Sequence, residues 1–186
     1  RVWGGRSALV GRGWADMADG RGVIADEIDF GTKDGIDASR LEEARRADTA
    51  HEYKAVLFSH VDTATSLLND PRPLRAALDA AGHPALLMAD CIASMACEEF
   101  HMDDWGVDIA VTGSQKGLMV PPGLSFVFVS PKAEEVRKAM PRVSRYWDWP
   151  PPPDPEFFYQ HFGGTAPPHP PFGQGRPHAT RRGERG

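Results

Sequence analysis

Cysteine is scarce in this chain: two in 186 residues, Cys91 and Cys97. They lie close together but fit no zinc-ligand spacing, so a reduced, cytoplasmic protein is the expected setting. Positive charge is also in deficit. Lys and Arg total 21 against 26 acidic residues, a net charge of −5. That removes any general pull toward nucleic acid or anionic membrane. No apolar run is long enough to span a bilayer, and no signal peptide is visible. The chain starts at Arg1 rather than Met, and the expectation is that the natural N-terminus is missing. What is present is ordinary for a soluble globular protein: 41% hydrophobic and 25% charged residues. The length gives room for one domain with a sizeable core.

Along the chain, strand-like and helix-like stretches alternate. Val2-Trp3 and Ala8-Leu9-Val10 read as strand pieces interrupted by glycine and arginine. Trp3 is read as a packing residue. Trp14 to Ala18 reads as a short helix ended by Gly20 and Gly22. Val23 to Phe30 alternates apolar and acidic residues, as a half-buried strand does. Asp37 is a plausible N-cap for a helix through about Arg46, with Glu42 and Arg46 paired on its solvated face. Lys54 to Ser59 is an apolar strand. Asp70-Pro71 opens a helix that Gly82 closes. Ala85 to Ala89 is nearly continuous in apolar residues, which suits a parallel strand covered on both faces. Ser94 to His101 is a connector with partial helix. Val107 to Val111 and Phe126 to Val129 are strands, and Pro131 to Met140 is a helix. From Trp147 to Pro155 the composition turns aromatic and proline-rich, as in an extended connector.

Between the strands at Val107–Val111 and Phe126–Val129 lies the most informative stretch, Thr112-Gly113-Ser114-Gln115-Lys116-Gly117-Leu118-Met119-Val120-Pro121-Pro122-Gly123-Leu124. A loop lysine is ordinarily a solvated surface charge. Here glycines on both sides allow close backbone approach, and the loop sits at the end of a buried strand, where α/β proteins place ligands. Asp90 ends the preceding apolar run. A carboxylate there either caps local amides or faces a cationic group. An amine and an acid at neighbouring strand ends are what a pyridoxal phosphate (PLP) site requires. The lysine forms a Schiff base with the cofactor aldehyde, and the carboxylate keeps the pyridine nitrogen protonated. Spacing by itself is a weak sign of this. His60-x-Asp62 has the look of half a metal site, but no third ligand follows at a suitable spacing, so no metal is expected.

Three further stretches join the lysine loop in a specific resemblance. They are Ser59-His60-Val61-Asp62-Thr63-Ala64-Thr65, Leu87-Met88-Ala89-Asp90-Cys91-Ile92-Ala93-Ser94, and Met102-Asp103-Asp104-Trp105-Gly106-Val107-Asp108. In order, separation and residue type, Trp14 to Thr165 resembles a class V aminotransferase of fold type I, in the alanine–, serine– and aspartate–glyoxylate group. The resemblance implies an α/β fold: a mostly parallel sheet flanked by helices, forming a partial large domain of a fold type I PLP-dependent transferase. It implies amino transfer from serine, alanine or aspartate to glyoxylate, with Lys116 and Asp90 as the catalytic pair. Further cofactor contacts implied are Gln115 and Ser114 at the phosphate, Thr65 or Thr63 beside the phenolic oxygen, and Ile92 against the ring face. A homodimer is implied as well. In the family a Tyr-x-x-Thr motif reaches the neighbouring subunit's phosphate. Here Phe162-Gly163-Gly164-Thr165 keeps only Thr165.

After Pro168 the resemblance stops. The stretch 170–186 is rich in Pro, Gly and Arg and lacks helical period. Gly173-x-Gly175 is no dinucleotide loop, because no strand precedes it. The organisation expected is a partial PLP-binding large domain over 1–148, an extended connector and dimer contact over 149–168, and a disordered or out-of-frame tail over 169–186. The family's upstream phosphate loop and the C-terminal arginine that grips the substrate carboxylate have no counterpart. That leaves a second reading, a catalytically inactive truncated remnant. A third, cysteine desulfuration, requires a nucleophilic cysteine after Lys116, and none follows.

Overall fold

The computed structural model describes residues 1–6, 9–31 and 33–140. The chain there forms β1 (Val2–Arg6), α1 (Leu9–Asp19), β2 (Ala25–Asp29), α2 (Ala38–Ala47), β3 (Ala55–Ser59), α3 (Pro71–Ala80), β4 (Leu86–Asp90), β5 (Ile109–Gly113), β6 (Ser125–Val129) and α4 (Pro131–Lys138). The strands make one sheet in the order β2-β1-β3-β4-β5-β6. All neighbours are parallel except β6, which runs antiparallel to β5. The expected mostly parallel α/β sheet is therefore what forms.

Helices cover both faces. On one face, Leu41 of α2 and Leu74, Ala77 and Leu78 of α3 pack with Trp3, Val56, Phe58, Leu87, Ala89 and Ala110. On the other, Ala133 of α4 and Trp14 of α1 pack with Ala55, Leu57, Leu86 and Ile109. Successive strand residues point to opposite faces, so a strand covered on both sides must be apolar throughout. That is why β3 and β4 show no alternation: every residue of β3 is buried, and all but Met88 in β4.

The helix starts are set by local chemistry. Asp37 caps α2 by accepting from the Ser39 amide at 2.9 Å, and Asp70 caps α3 through the Arg72 amide at 2.9 Å. Ser130 caps α4 through the Ala133 amide at 3.1 Å. Pro71 and Pro131 occupy first-turn positions, where a missing N–H costs nothing. Glu42 and Arg46 pair at 2.7 Å on the exposed face of α2.

Two expectations are corrected. Leu9-Val10 is not a strand piece: it opens α1, which starts five residues ahead of Trp14. The interior glycines Gly11 and Gly13 mask the helical pattern, and packing of α1 on β1, β2 and β3 overrides their low propensity. The connector from Ser94 to His101 contains turns and no helix. Ala96 there has a left-handed backbone, φ 65°, which interrupts any helical run. The segments 149–168 and 169–186, with Thr165, lie outside the described residues.

Candidate functional site

Parallel strands end together on one side of the sheet. The register sets Ser59 of β3 opposite Asp90 of β4, and Asp90 opposite Val111 of β5. Neighbouring strands lie about 4.8 Å apart, so the turns after β3, β4 and β5 emerge side by side. These three turns carry the described site residues expected from the sequence.

Asp90 is the last residue of β4 and is buried, at 9% exposure. Its Oδ1 accepts from the Ile92 amide at 2.9 Å. Burial raises the Asp90 pKa, the polar N–H groups of Ile92 and Trp14 oppose the rise, and the charge of Asp62 adds to it. No cation among the described residues pairs with Asp90. A buried carboxylate held by neutral donors and lacking a counter-ion is suited to a cationic ligand group. That fits the ring nitrogen of a PLP cofactor.

Lys116 lies in the loop joining β5 to β6. Ser114 staples this loop. Its amide donates to Leu124 O at 3.0 Å, and its own carbonyl accepts from the Val120 amide at 3.2 Å. Its hydroxyl donates to Pro121 O at 2.7 Å. Gly117 presses against the turn after β4: a Cβ at this position would lie 2.2 Å from Met95 O and 2.7 Å from Cys97 Sγ. Lys116 is exposed and has no ion-pair partner among the described residues. Gln115 beside it is also exposed. An exposed amine on a loop fastened at both stems, following the strand next to the one that Asp90 ends, is open to carbonyl compounds.

The turn after β3 is built on Asp62, which is 1% exposed. Its Oδ1 accepts from the amides of Ala64 and Thr65, at 2.9 and 3.0 Å, and from the Thr65 hydroxyl at 3.1 Å. Thr65 therefore gives its hydroxyl proton to Asp62. Thr63 is exposed and hydrogen-bonds to no described residue. Ile92 is 38% exposed at the carboxyl end of β4. Behind the site, the His60 amide donates to Asp90 O at 2.9 Å, and the His60 ring Nδ1 meets Ser94 Oγ at 2.9 Å. Burial lowers the His60 pKa against the charges of Glu98 and Asp70. The buried Cys91 thiol, hydrogen-bonded to Ser94, is pushed up to about 12 by burial. His60 and Asp62 are thus each engaged in hydrogen bonds within the fold.

Sequence reasoning missed Ser94 and the Gly117 contact as parts of this site. Asp62 with Thr65 three residues on is a recognisable turn signature, and Gly117 next to the lysine was a sign of close approach. A separate groove of about 510 Å³, lined by Arg72, Arg75, Trp105, Asp108 and Lys132 among others, is occupied by its own ion pairs. Arg75 meets Asp79 at 2.7 Å, and Lys132 meets Asp108 at 3.4 Å.

Comparison with known proteins shows the family. A family profile described as "Aminotransferase class-V" matches residues 8–144. An L-aspartate–glyoxylate aminotransferase of Paracoccus denitrificans is 46% identical over 135 residues, 73% of this chain and 34% of that protein. A serine–glyoxylate aminotransferase of Methylorubrum extorquens is 44% identical over 143 residues, 73% of this chain and 35% of that protein. An aspartate aminotransferase of subgroup IV from Thermus thermophilus superposes with a TM-score of 0.65 at 30% identity, covering 73% of this chain and 37% of the other. The chain spans about a third of the length of the curated relatives it matches.

Proposed function

The chain belongs to the class-V aminotransferase family, and from that premise we propose that it serves PLP-dependent amino transfer from a small amino acid to glyoxylate. Aspartate, serine and alanine are the candidate donors. The observation that carries the reading is the placement of Asp90, a buried carboxylate with no cation partner among the described residues, at the end of β4 and next to β5, whose exit loop carries Lys116. Relatives at 46% and 44% identity named for glyoxylate support the acceptor.

PLP, when bound, supplies an electron sink for charge developing at the substrate Cα. The chain's residues do the rest. The Lys116 amine is the attachment point for the cofactor aldehyde. Freed by an amino substrate, it would be the base that takes the Cα proton and delivers it to the cofactor's aldehyde-derived carbon. Asp90 holds negative charge beside the ring nitrogen, so that nitrogen keeps its proton. Thr63 has a hydroxyl without a described partner, and Gln115 an exposed amide. These are the neutral donors available to phenolic and phosphate oxygens, whereas the hydroxyls of Thr65 and Ser114 must first leave Asp62 and Pro121. Ile92 covers the ring face. In this reading the protein works as a homodimer in the cytoplasm, with Thr165 reaching the partner's phosphate. Sedimentation of the PLP-loaded protein tests the dimer.

The primary test mixes the purified chain with PLP, reduces with borohydride and maps the product by peptide mass spectrometry. The expected result is one adduct on Lys116 that Lys116→Ala abolishes. No adduct, or adducts scattered over several lysines, refutes the reading. Glyoxylate-dependent consumption of aspartate, serine and alanine then ranks the donors.

A further inference from the structure

The loop from Ser114 to Leu124 carries Lys116 and contains two consecutive prolines. Pro121 and Pro122 have no N–H, so this stretch cannot fasten itself with amides of its own. Ser114 provides the ties. Its amide donates to Leu124 O at 3.0 Å, one residue beyond the last β5–β6 pair, Gly113 with Ser125. Its carbonyl accepts from the Val120 amide at 3.2 Å. Its hydroxyl donates to Pro121 O at 2.7 Å and accepts from the Leu124 amide at 3.4 Å. Every polar group of this one fully buried residue thus faces Val120, Pro121 or Leu124. Gln115 to Met119 lie inside the ring that the Ser114–Val120 bond closes. There the Met119 amide donates to Lys116 O at 2.8 Å.

We propose that Ser114 is the positioning residue for Lys116: its hydroxyl, bonded to Pro121 O, closes the base of the loop and sets where the amine stands to attack a carbonyl carbon. The role rests on the functional reading above. Its chemistry follows from the group. A hydroxyl donates and accepts at once, so it serves a proline carbonyl and the Leu124 amide together. Alanine serves neither and leaves Pro121 O without this donor. The opposite side of the loop is already backed where Gly117 presses on Met95 O. With Ser114 at the base, Lys116 is held between two fixed points, and attack on a carbonyl depends on such placement. Buried and engaged in this way, the hydroxyl acts on the loop and not on the cofactor's phosphate.

The test compares Ser114→Ala with the unaltered chain using two aldehydes, PLP and pyridoxal, which differ by the phosphate. The Lys116 amine adds to the aldehyde carbon, water leaves, and borohydride reduces the resulting C=N bond, so labelling is read by peptide mass spectrometry. Ser114→Ala should slow labelling about tenfold with both aldehydes, the order of one lost hydrogen bond. The loss should sit in the limiting rate and not in the aldehyde concentration at half-saturation. A loss confined to PLP makes Ser114 a phosphate contact and overturns the proposal. An unchanged rate, or a loss in half-saturation alone, overturns it too. On cofactor-free protein, hydrogen exchange of the Val120 amide should quicken about tenfold in Ser114→Ala while the β5 and β6 amides stay protected. If Ser114→Ala fails to fold, the unaltered chain decides: a protected Val120 amide sustains the tie, and one that exchanges as in an unfolded chain overturns it. Should neither aldehyde label Lys116 in the unaltered chain, the aminotransferase reading falls, while Val120 exchange still decides whether Ser114 holds the loop.

Discussion

Gly117→Ala is the sharpest perturbation of the lysine loop. The added methyl would sit 2.2 Å from the Met95 carbonyl oxygen and 2.7 Å from Cys97 Sγ. Ordinary contact between such atoms is about 3.4 Å, so loop and turn must separate by about 1 Å, in a region packed too closely to absorb it. Trimming Cys97 gives no relief, because the closer atom is backbone. Overpacking of this kind costs about 2 kcal/mol, a fall in Tm of about 4–8 °C for a chain of this size. A displacement of about 1 Å at a reacting group also costs on the order of a hundredfold in rate. Gly113→Ala is the control. Its methyl would meet Gln115 Oε1 at 2.8 Å, the far end of a side chain that can swing aside. Thermal melts and borohydride trapping of PLP on Lys116, run on both variants, decide the matter. Gly117→Ala should melt lower and lose most trapping, and Gly113→Ala should do neither. Equal behaviour of the two variants, or normal trapping in Gly117→Ala, would falsify the claim that the turn after β4 sets the position of Lys116.

Two further outcomes are expected. Ala96 has φ 65° with no glycine to relieve it; a left-handed alanine costs about 1–2 kcal/mol and glycine gives back about 0.5–1 through chain entropy, so Ala96→Gly should stabilise by about 0.5–1 kcal/mol in urea unfolding, and a destabilised variant would contradict the strain. Burial lowers the pKa of both His60 and His83, the latter against a hydrogen bond to Asp48 and with help from the charge of Arg45. The unfolded chain then binds protons that the folded one refuses once pH drops below about 6.5. Stability should fall from there downward by at most about 1.4 kcal/mol per pH unit for each histidine, and His60→Gln should flatten the slope in denaturant titrations at pH 5 to 7; an unchanged slope would remove His60 from the account.

What the sequence made legible was mostly local. Asp37 and Asp70 cap their helices through amides two residues on, so the interaction and its signature lie in the same few letters. Asp90 and the Lys116 loop could be placed because apolar strands ended at both and their surroundings matched a family. Trp14 could not be placed on the sheet face of Ala55, Leu57, Leu86 and Ile109, since nothing local says which strands a helix will cover. Leu9-Val10 read as strand because a two-residue apolar pair has no period, and Gly11 and Gly13 hid the helix that tertiary contact imposes. Ala96 and Met119, both left-handed, carry no sign in their side chains.

The single antiparallel pairing has a consequence for how the site is assembled. β5 and β6 join Gly113 to Ser125 across the lysine loop, whereas β1 meets β3 by pairing Val2 with Ala55, far along the chain. The entropy lost on closing a loop grows with the logarithm of its length. By that measure the loop bearing Lys116 closes for about 1 kcal/mol less than the long excursion that seats β1. Lys116 is carried by the part of the sheet that is cheapest to form, while α1, which follows β1, depends on one of the costlier closures. Lys116 and α1 therefore reach their positions by routes of different length in the same chain.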